Sequence, residues 1–204
     1  LIYSGKGPAS LKKDPYLRDV EKISSIVGGY GDGRIIDIAC GTGFWFPKYA
    51  KNCADFTFVD QSKKMLEECK KRVISLGYRD MAKFIQMNVL DIKLDTKFGS
   101  AIIGFLLSHF TEGQESRFFS LLKGILADNG TFLVLDSTWT DKRKKVRSKE
   151  DVQERKLTDG RKFIIYKRYF DEKDLYKIAE KNGFRILDSY FGEAFLAFKA
   201  CFLY

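Results

Sequence analysis

Ile35-Ile36-Asp37-Ile38-Ala39-Cys40-Gly41-Thr42-Gly43 is the stretch that decides the fold. An apolar run enters a glycine-rich turn, and Phe44 to Ala50 then reads as a helix. A second apolar run, Phe56-Thr57-Phe58-Val59, closes on Asp60, nineteen residues beyond Gly41. In this layout glycines let backbone approach a nucleotide-type ligand, and the acid on the next strand takes its ribose hydroxyls.

The turn also narrows the ligand. A dinucleotide fingerprint places a third glycine where this chain has Phe46, followed by Pro47. A pyrophosphate needs small residues and free N–H groups at a helix start. Phe44, Trp45, Phe46 and the N–H-less Pro47 offer neither. The acid Asp37 stands four positions before Gly41, in a D-x-A-C-G-T-G pattern. A ligand with an ammonium and carboxylate tail and no phosphate suits that turn.

Outward from this stretch, strand-like and helix-like segments alternate, which reads as α/β with a largely parallel sheet. Tyr16 to Val27 forms a leading helix, opened by Asp14-Pro15 and stopped by Gly28-Gly29. Ser62 caps a helix over 63–76, and Thr111-Glu112-Gly113-Gln114 fits a capping box. Asp128-Asn129-Gly130 is a turn before a strand over 131–135. Asp159-Gly160 joins two arms of a hairpin, and two final strands flank Gly192-Glu193.

With these residues, the chain resembles the class I S-adenosylmethionine-dependent methyltransferases over nearly its whole length. Segment 35–45 resembles that family's first motif, and Asp60 the acid ending its second strand. Phe84 to Asp91 resembles the third strand and the adenine loop, Phe98 to Phe110 the fourth strand and its exit, and Leu122 to Asp136 the fifth. Two positions depart from the pattern: Gly99 and Asn88 stand where aspartates are common.

The resemblance implies a Rossmann-like three-layer sandwich whose seven-stranded, mostly parallel sheet has an antiparallel C-terminal strand. It implies one domain over 1–204, with a leading cover (1–30) and a variable substrate-side insert (137–170). It also implies S-adenosyl-L-methionine as cofactor, with S-adenosyl-L-homocysteine as product. Asp37 would order the amino-acid end of the cofactor, beside the backbone of Ala39, Cys40 and Gly41. Gly43 would permit close packing, and Asp60 would accept both ribose hydroxyls. Gln61 and Met65 would flank the adenine, with Asn88 and the Val89 N–H on its edge. Phe105 would wall the space near the methyl group. His109, the only histidine, is the candidate general base. Tyr3, Tyr16 and Arg18 belong to the cover; Arg18 is read as a surface arginine, with pairing to the cofactor carboxylate as the alternative. Trp139, Tyr166 and Arg168 are candidates for the acceptor pocket.

Composition bounds the rest. A chain of 204 residues with 45% hydrophobic content builds one real core. No apolar run reaches the roughly 20 residues of a spanning helix, and no membrane role is expected. Four scattered cysteines (Cys40, Cys53, Cys69, Cys201) lack zinc or disulfide-scaffold spacing, so no metal and a reduced, cytoplasmic setting are expected. Of the net charge of +9, a surplus of five falls between Asp141 and Lys162. Such a run is a solvated face or an attractor of an anionic substrate or nucleic acid.

A compact domain without an appended module favours methyl transfer to O or N of a small molecule. The basic segment 141–162 supports the alternative of an RNA or protein substrate. Against it, Gly104-Phe105-Leu106-Leu107 is no D/N-P-P-Y-like tetrapeptide. A non-catalytic, cofactor-binding partner subunit is the third alternative.

Overall fold

The computed structural model describes residues 15–156 and 160–203. Helix α1 (Pro15–Gly28) precedes β1 (Gly33–Ile38) and the glycine turn. A single helical turn, α2 (Phe46–Tyr49), follows. It begins later than the pattern from Phe44 suggests, because Pro47 is tolerated only in a first turn. Next come β2 (Cys53–Asp60), α3 (Lys63–Ser75) and β3 (Ala82–Gln86). They are followed by β4 (Phe98–Gly104), α4 (Glu112–Ile125) and β5 (Leu126–Ser137). Beyond β5 lie α5 (Asp141–Lys144), β6 (Glu150–Lys156), β7 (Lys162–Arg168) and α6 (Glu172–Asn182). The last two strands are β8 (Phe184–Phe191) and β9 (Phe195–Phe202). Tyr3, Asp14 and Asp159 lie outside the described residues.

Local chemistry sets the helix ends. Ser62 accepts the Met65 N–H, and Thr111 and Gln114 form both halves of a capping box. Asp171 and Asp174 form a second box that the sequence pattern did not single out. At the far end of α6, Gly183 takes the left-handed conformation (φ 66) that glycine enters without a Cβ penalty.

The seven-stranded sheet runs β3-β2-β1-β4-β5-β9-β8, with β9 antiparallel to both neighbours and the other pairs parallel. The expected α/β sandwich with one antiparallel strand is the observed fold. β5 starts at Leu126, earlier than expected. The Asp128-Asn129-Gly130 turn is a register shift inside it, between the pairs Phe98/Leu126 and Ser100/Thr131. β6 and β7 pair only with each other, as the separate hairpin expected around Asp159-Gly160.

Side chains along the central strands alternate between two cores, as strands covered on both faces must. Ile36, Ile38, Ile103 and Val134 pack against Phe118, Phe119 and Leu122 of α4 and Leu175 of α6. Ile35, Phe58, Ile102 and Leu133 pack on the other side against Ile23 and Val27 of α1 and Val73 of α3. Phe46 anchors this second core, with ring contacts to Tyr49, Phe56, Phe58 and Tyr78. Each such fully buried ring contributes about 1.5–3 kcal/mol.

Asp19 of α1 ties the leading helix to the β8–β9 turn. Its carboxylate accepts the Tyr190 hydroxyl and the N–H groups of Glu193, Ala194 and Phe195. Gly192 passes so close that a Cβ there would lie 2.2 Å from the carboxylate.

Candidate active site

Parallel strands β1, β2 and β4 all end on one side of the sheet, where the chain reverses into loops. There the glycine turn is held by backbone geometry. Ala39, Gly41 and Gly43 take positive φ values of 56, 55 and 67. Ala39 does so with a Cβ, at a cost of about 1–2 kcal/mol. A Cβ on Gly43 would come within 2.8 Å of the Cys69 sulfur. The close packing that Gly43 permits is therefore against α3. A Cβ on Gly41 would meet nothing within 4 Å. Among the described residues, no atom lies within 4 Å of that position, which leaves a cradle beside the turn.

Asp60 organises that cradle. Its carboxylate accepts the Gly41 N–H at 2.9 Å on one oxygen and the Ser62 N–H at 2.8 Å on the other. It is buried, and each oxygen retains a lone pair for a further donor. Asp37 is buried deeper and accepts the Tyr49 hydroxyl at 2.7 Å. Burial pushes Asp37 from its ordinary 3.8 up to about 7; the Tyr49 hydrogen bond opposes this and the Asp60 charge adds to it. The Tyr49 hydroxyl is itself driven upward, first by burial and then by Asp37. Tyr49 was not singled out from sequence, since nothing in a Phe-Pro-Lys-Tyr turn announces a partner twelve residues back.

A cavity of about 290 Å³ opens beside Asp60. Ala39, Gln61, Asn88, Val89 and His109 line it with Asp60, so six expected residues share one wall. Asn88 spends its side-chain oxygen on the Leu90 N–H, closing the loop after β3. Asp37, Cys40, Gly41, Gly43, Met65 and Phe105 do not line this cavity. Cys40, Gly41 and Gly43 belong to the turn itself, and Met65 sits half-buried on α3. Phe105 turns its ring onto Phe195 and holds a left-handed backbone, φ 56.

The insert reaches the same side from the other flank. His109 Nδ1 lies 2.9 Å from the Tyr166 carbonyl oxygen of β7. Partial burial and the nearby Lys167 charge hold its imidazole below the usual histidine value. Trp139 stacks obliquely on Tyr169. Arg168 turns away from the His109 cavity and pairs with Glu115 of α4, where a separate cavity of about 260 Å³ opens. Arg18 pairs with Glu193 at 3.0 Å on the surface, and Tyr16 packs on Phe195.

Residues 35–130, which span the glycine turn, Asp60 and the His109 loop, match the methyltransferase domain family. Over those residues the chain carries a methyltransferase domain, as the resemblance implies. Solved structures share the methyltransferase fold at low identity. The DhpI-SAM-HEP complex superposes with a TM-score of 0.78 at 20% identity, covering 94% of this chain and 89% of that one. A methyltransferase from Clostridium acetobutylicum ATCC 824 gives 0.69 at 14%, covering 99% and 94%. The glycopeptide N-methyltransferase MtfA, complexed with S-adenosyl-L-methionine, gives 0.66 at 15%, covering 91% and 93%. No curated protein matches the chain by sequence. Among the described residues, no helix is long and apolar enough to cross a membrane.

Proposed function

We propose that the enzyme methylates an oxygen or nitrogen of a small-molecule acceptor, with His109 as general base. The observation that carries this reading is the single cavity bringing Asp60 and Asn88, the cofactor side, to the same wall as His109. Asp60 receives the ribose hydroxyls on its free lone pairs, and the Val89 N–H with Asn88 borders the adenine. Asp37 as a carboxylate balances the ammonium of the amino-acid tail, and the bare face of Gly41 leaves room for that tail.

The bound cofactor supplies a methyl group already activated on a sulfonium, so the protein's task is chiefly positioning. An acceptor hydroxyl or amine must shed a proton as it reacts. His109 takes it at Nε2, since Nδ1 is committed to the Tyr166 carbonyl.

The small-acceptor reading is also supported by how the basic segment spends its charge. Lys142 pairs with Glu193, Lys149 with Asp171 and Asp174, and Lys162 with Glu154. Arg143 donates to the carbonyls of Thr138 and Ala194. A strip built to bind polyanionic RNA would keep such groups uncommitted.

Calorimetric titration with S-adenosylmethionine, followed by a panel of small hydroxyl and amine acceptors with a labelled methyl group, tests the proposal. Label on a small acceptor supports it; label only on RNA or protein overturns it. His109→Ala is expected to lower turnover by about a hundredfold with cofactor affinity preserved. Unimpaired turnover would reduce His109 to a wall of the cavity.

A further inference from the structure

The β6–β7 hairpin grips the loop after β4 through two consecutive residues on each side. Tyr166 offers its carbonyl to His109, and Lys167 reaches the neighbouring Ser108. A carbonyl only accepts, so His109 Nδ1 carries the hydrogen and Nε2 keeps its lone pair. The Lys167 ammonium is buried, donating to Ser108 Oγ at 2.5 Å with Asp136 Oδ1 at 3.5 Å. Asp136 of β5 is wholly buried and also accepts the N–H groups of Ser108 and Ser137.

An ion pair is a poor device for stability alone at this depth. Its desolvation cost rivals its Coulomb gain, and an apolar residue of similar volume commonly does as well. What the pair does provide is a fixed seat, because both partners have directional hydrogen bonds and one of them adjoins His109.

We infer that Lys167 is a positioning residue for methyl transfer: its anchorage on Ser108 and Asp136 seats the hairpin so that the Tyr166 carbonyl holds His109 in the Nδ1–H tautomer, with Nε2 as the proton acceptor. This rests on the reading of His109 as base. The charged groups facing the imidazole are Lys167 of β7, Arg155 of β6 and Asp136 of β5. Partial burial and the two cations lower its proton affinity; the Tyr166 carbonyl and Asp136 act in the opposite sense. The net direction keeps the ring neutral near pH 7 and able to accept. The hairpin thus assembles the base that the cofactor half does not supply.

The chain has one histidine, so nitrogen-15 NMR of the untagged, imidazole-labelled protein reports on His109 alone. The expected wild-type spectrum is that of an Nδ1–H ring titrating below the usual histidine value. In Lys167→Met the titration moves to higher pH and the Nδ1–H preference weakens; Lys167→Arg restores both. Cofactor affinity stays within twofold in all three proteins, which certifies the fold. An Nε2–H ring in the wild type, or a Lys167→Met protein that titrates like it, overturns the inference. The acidic limb of kcat/KM separates the two readings. If the NMR titration moves in Lys167→Met and the limb does not follow, the positioning stands and His109 is not the base.

Discussion

The two flanks of the site are built on different principles. On the cofactor flank, the groups are held largely by backbone: Asp60 is fixed by the Gly41 and Ser62 N–H groups, and the turn by three left-handed residues. On the insert flank, which the proposed function gives to the acceptor, the hairpin is held by side-chain charge, with Lys167 on Asp136 and Arg168 on Glu115. Backbone scaffolding requires a few residue types at short spacing, whereas side-chain anchorage joins residues 31 to 59 positions apart, from Lys167–Asp136 to Lys167–Ser108. The first arrangement suits a ligand of fixed shape. The second lets the acceptor site vary without disturbing it.

This contrast can be broken most directly at Arg168. Arg168→Met strands Glu115 in the interior and is expected to cost about 3 kcal/mol, read as a fall in unfolding midpoint. Cofactor affinity should barely change if the flanks are separate; a parallel loss would show them to be one unit. On the other flank, Asp60→Ala is expected to weaken cofactor binding at least about tenfold, or roughly 1.4 kcal/mol, in a calorimetric titration. Unchanged affinity would remove Asp60 from the ribose site.

Asp37 gives a subtler test, because its proton belongs to the cofactor flank alone. Its folded value of about 7 lies above the ordinary 3.8. The group therefore favours the unliganded fold at low pH, and that contribution is lost as pH rises through about 7. If Asp37 holds the cofactor ammonium as proposed, cofactor affinity runs the other way, since an ammonium binds the carboxylate form. Affinity for S-adenosylhomocysteine is expected to rise about eightfold from about pH 6 to about pH 7.5. A flat profile would separate Asp37 from the amino-acid tail. The smallest effect is expected at Ala39: Ala39→Gly relieves a left-handed alanine and raises stability by about 1 kcal/mol or less. A loss of stability would mean that the alanine methyl packs more usefully than its backbone strain costs.

The same contrast explains what was legible in the sequence. Asp37, Gly41 and Asp60 could be placed because one strand–turn–helix–strand unit fixes them within twenty-four residues. The fold followed from alternation and order, including β9, since Gly192-Glu193 marks its hairpin. Tyr49 was missed because its hydrogen bond to Asp37 depends on how a short helix packs. Arg168 was drawn toward the ligand by type alone, whereas Glu115 claims it; Arg18 lies on the surface, as a lone arginine there suggests, paired with Glu193. Lys167 gave no signal at all, for a lysine in a basic strand looks solvated until tertiary packing buries it. β5 outran its expected start because a register shift absorbs the turn residues that would otherwise end a strand.

The place of β9 has a consequence for how the chain matures on the ribosome. β9 is translated after β8 yet lies between β5 and β8, so until it emerges β5 presents an unpaired edge. Asp19, made early, must likewise wait for the N–H groups of Ala194 and Phe195. A nascent chain arrested before β9 therefore displays a sticky strand beside a finished glycine turn, the kind of intermediate that chaperones capture.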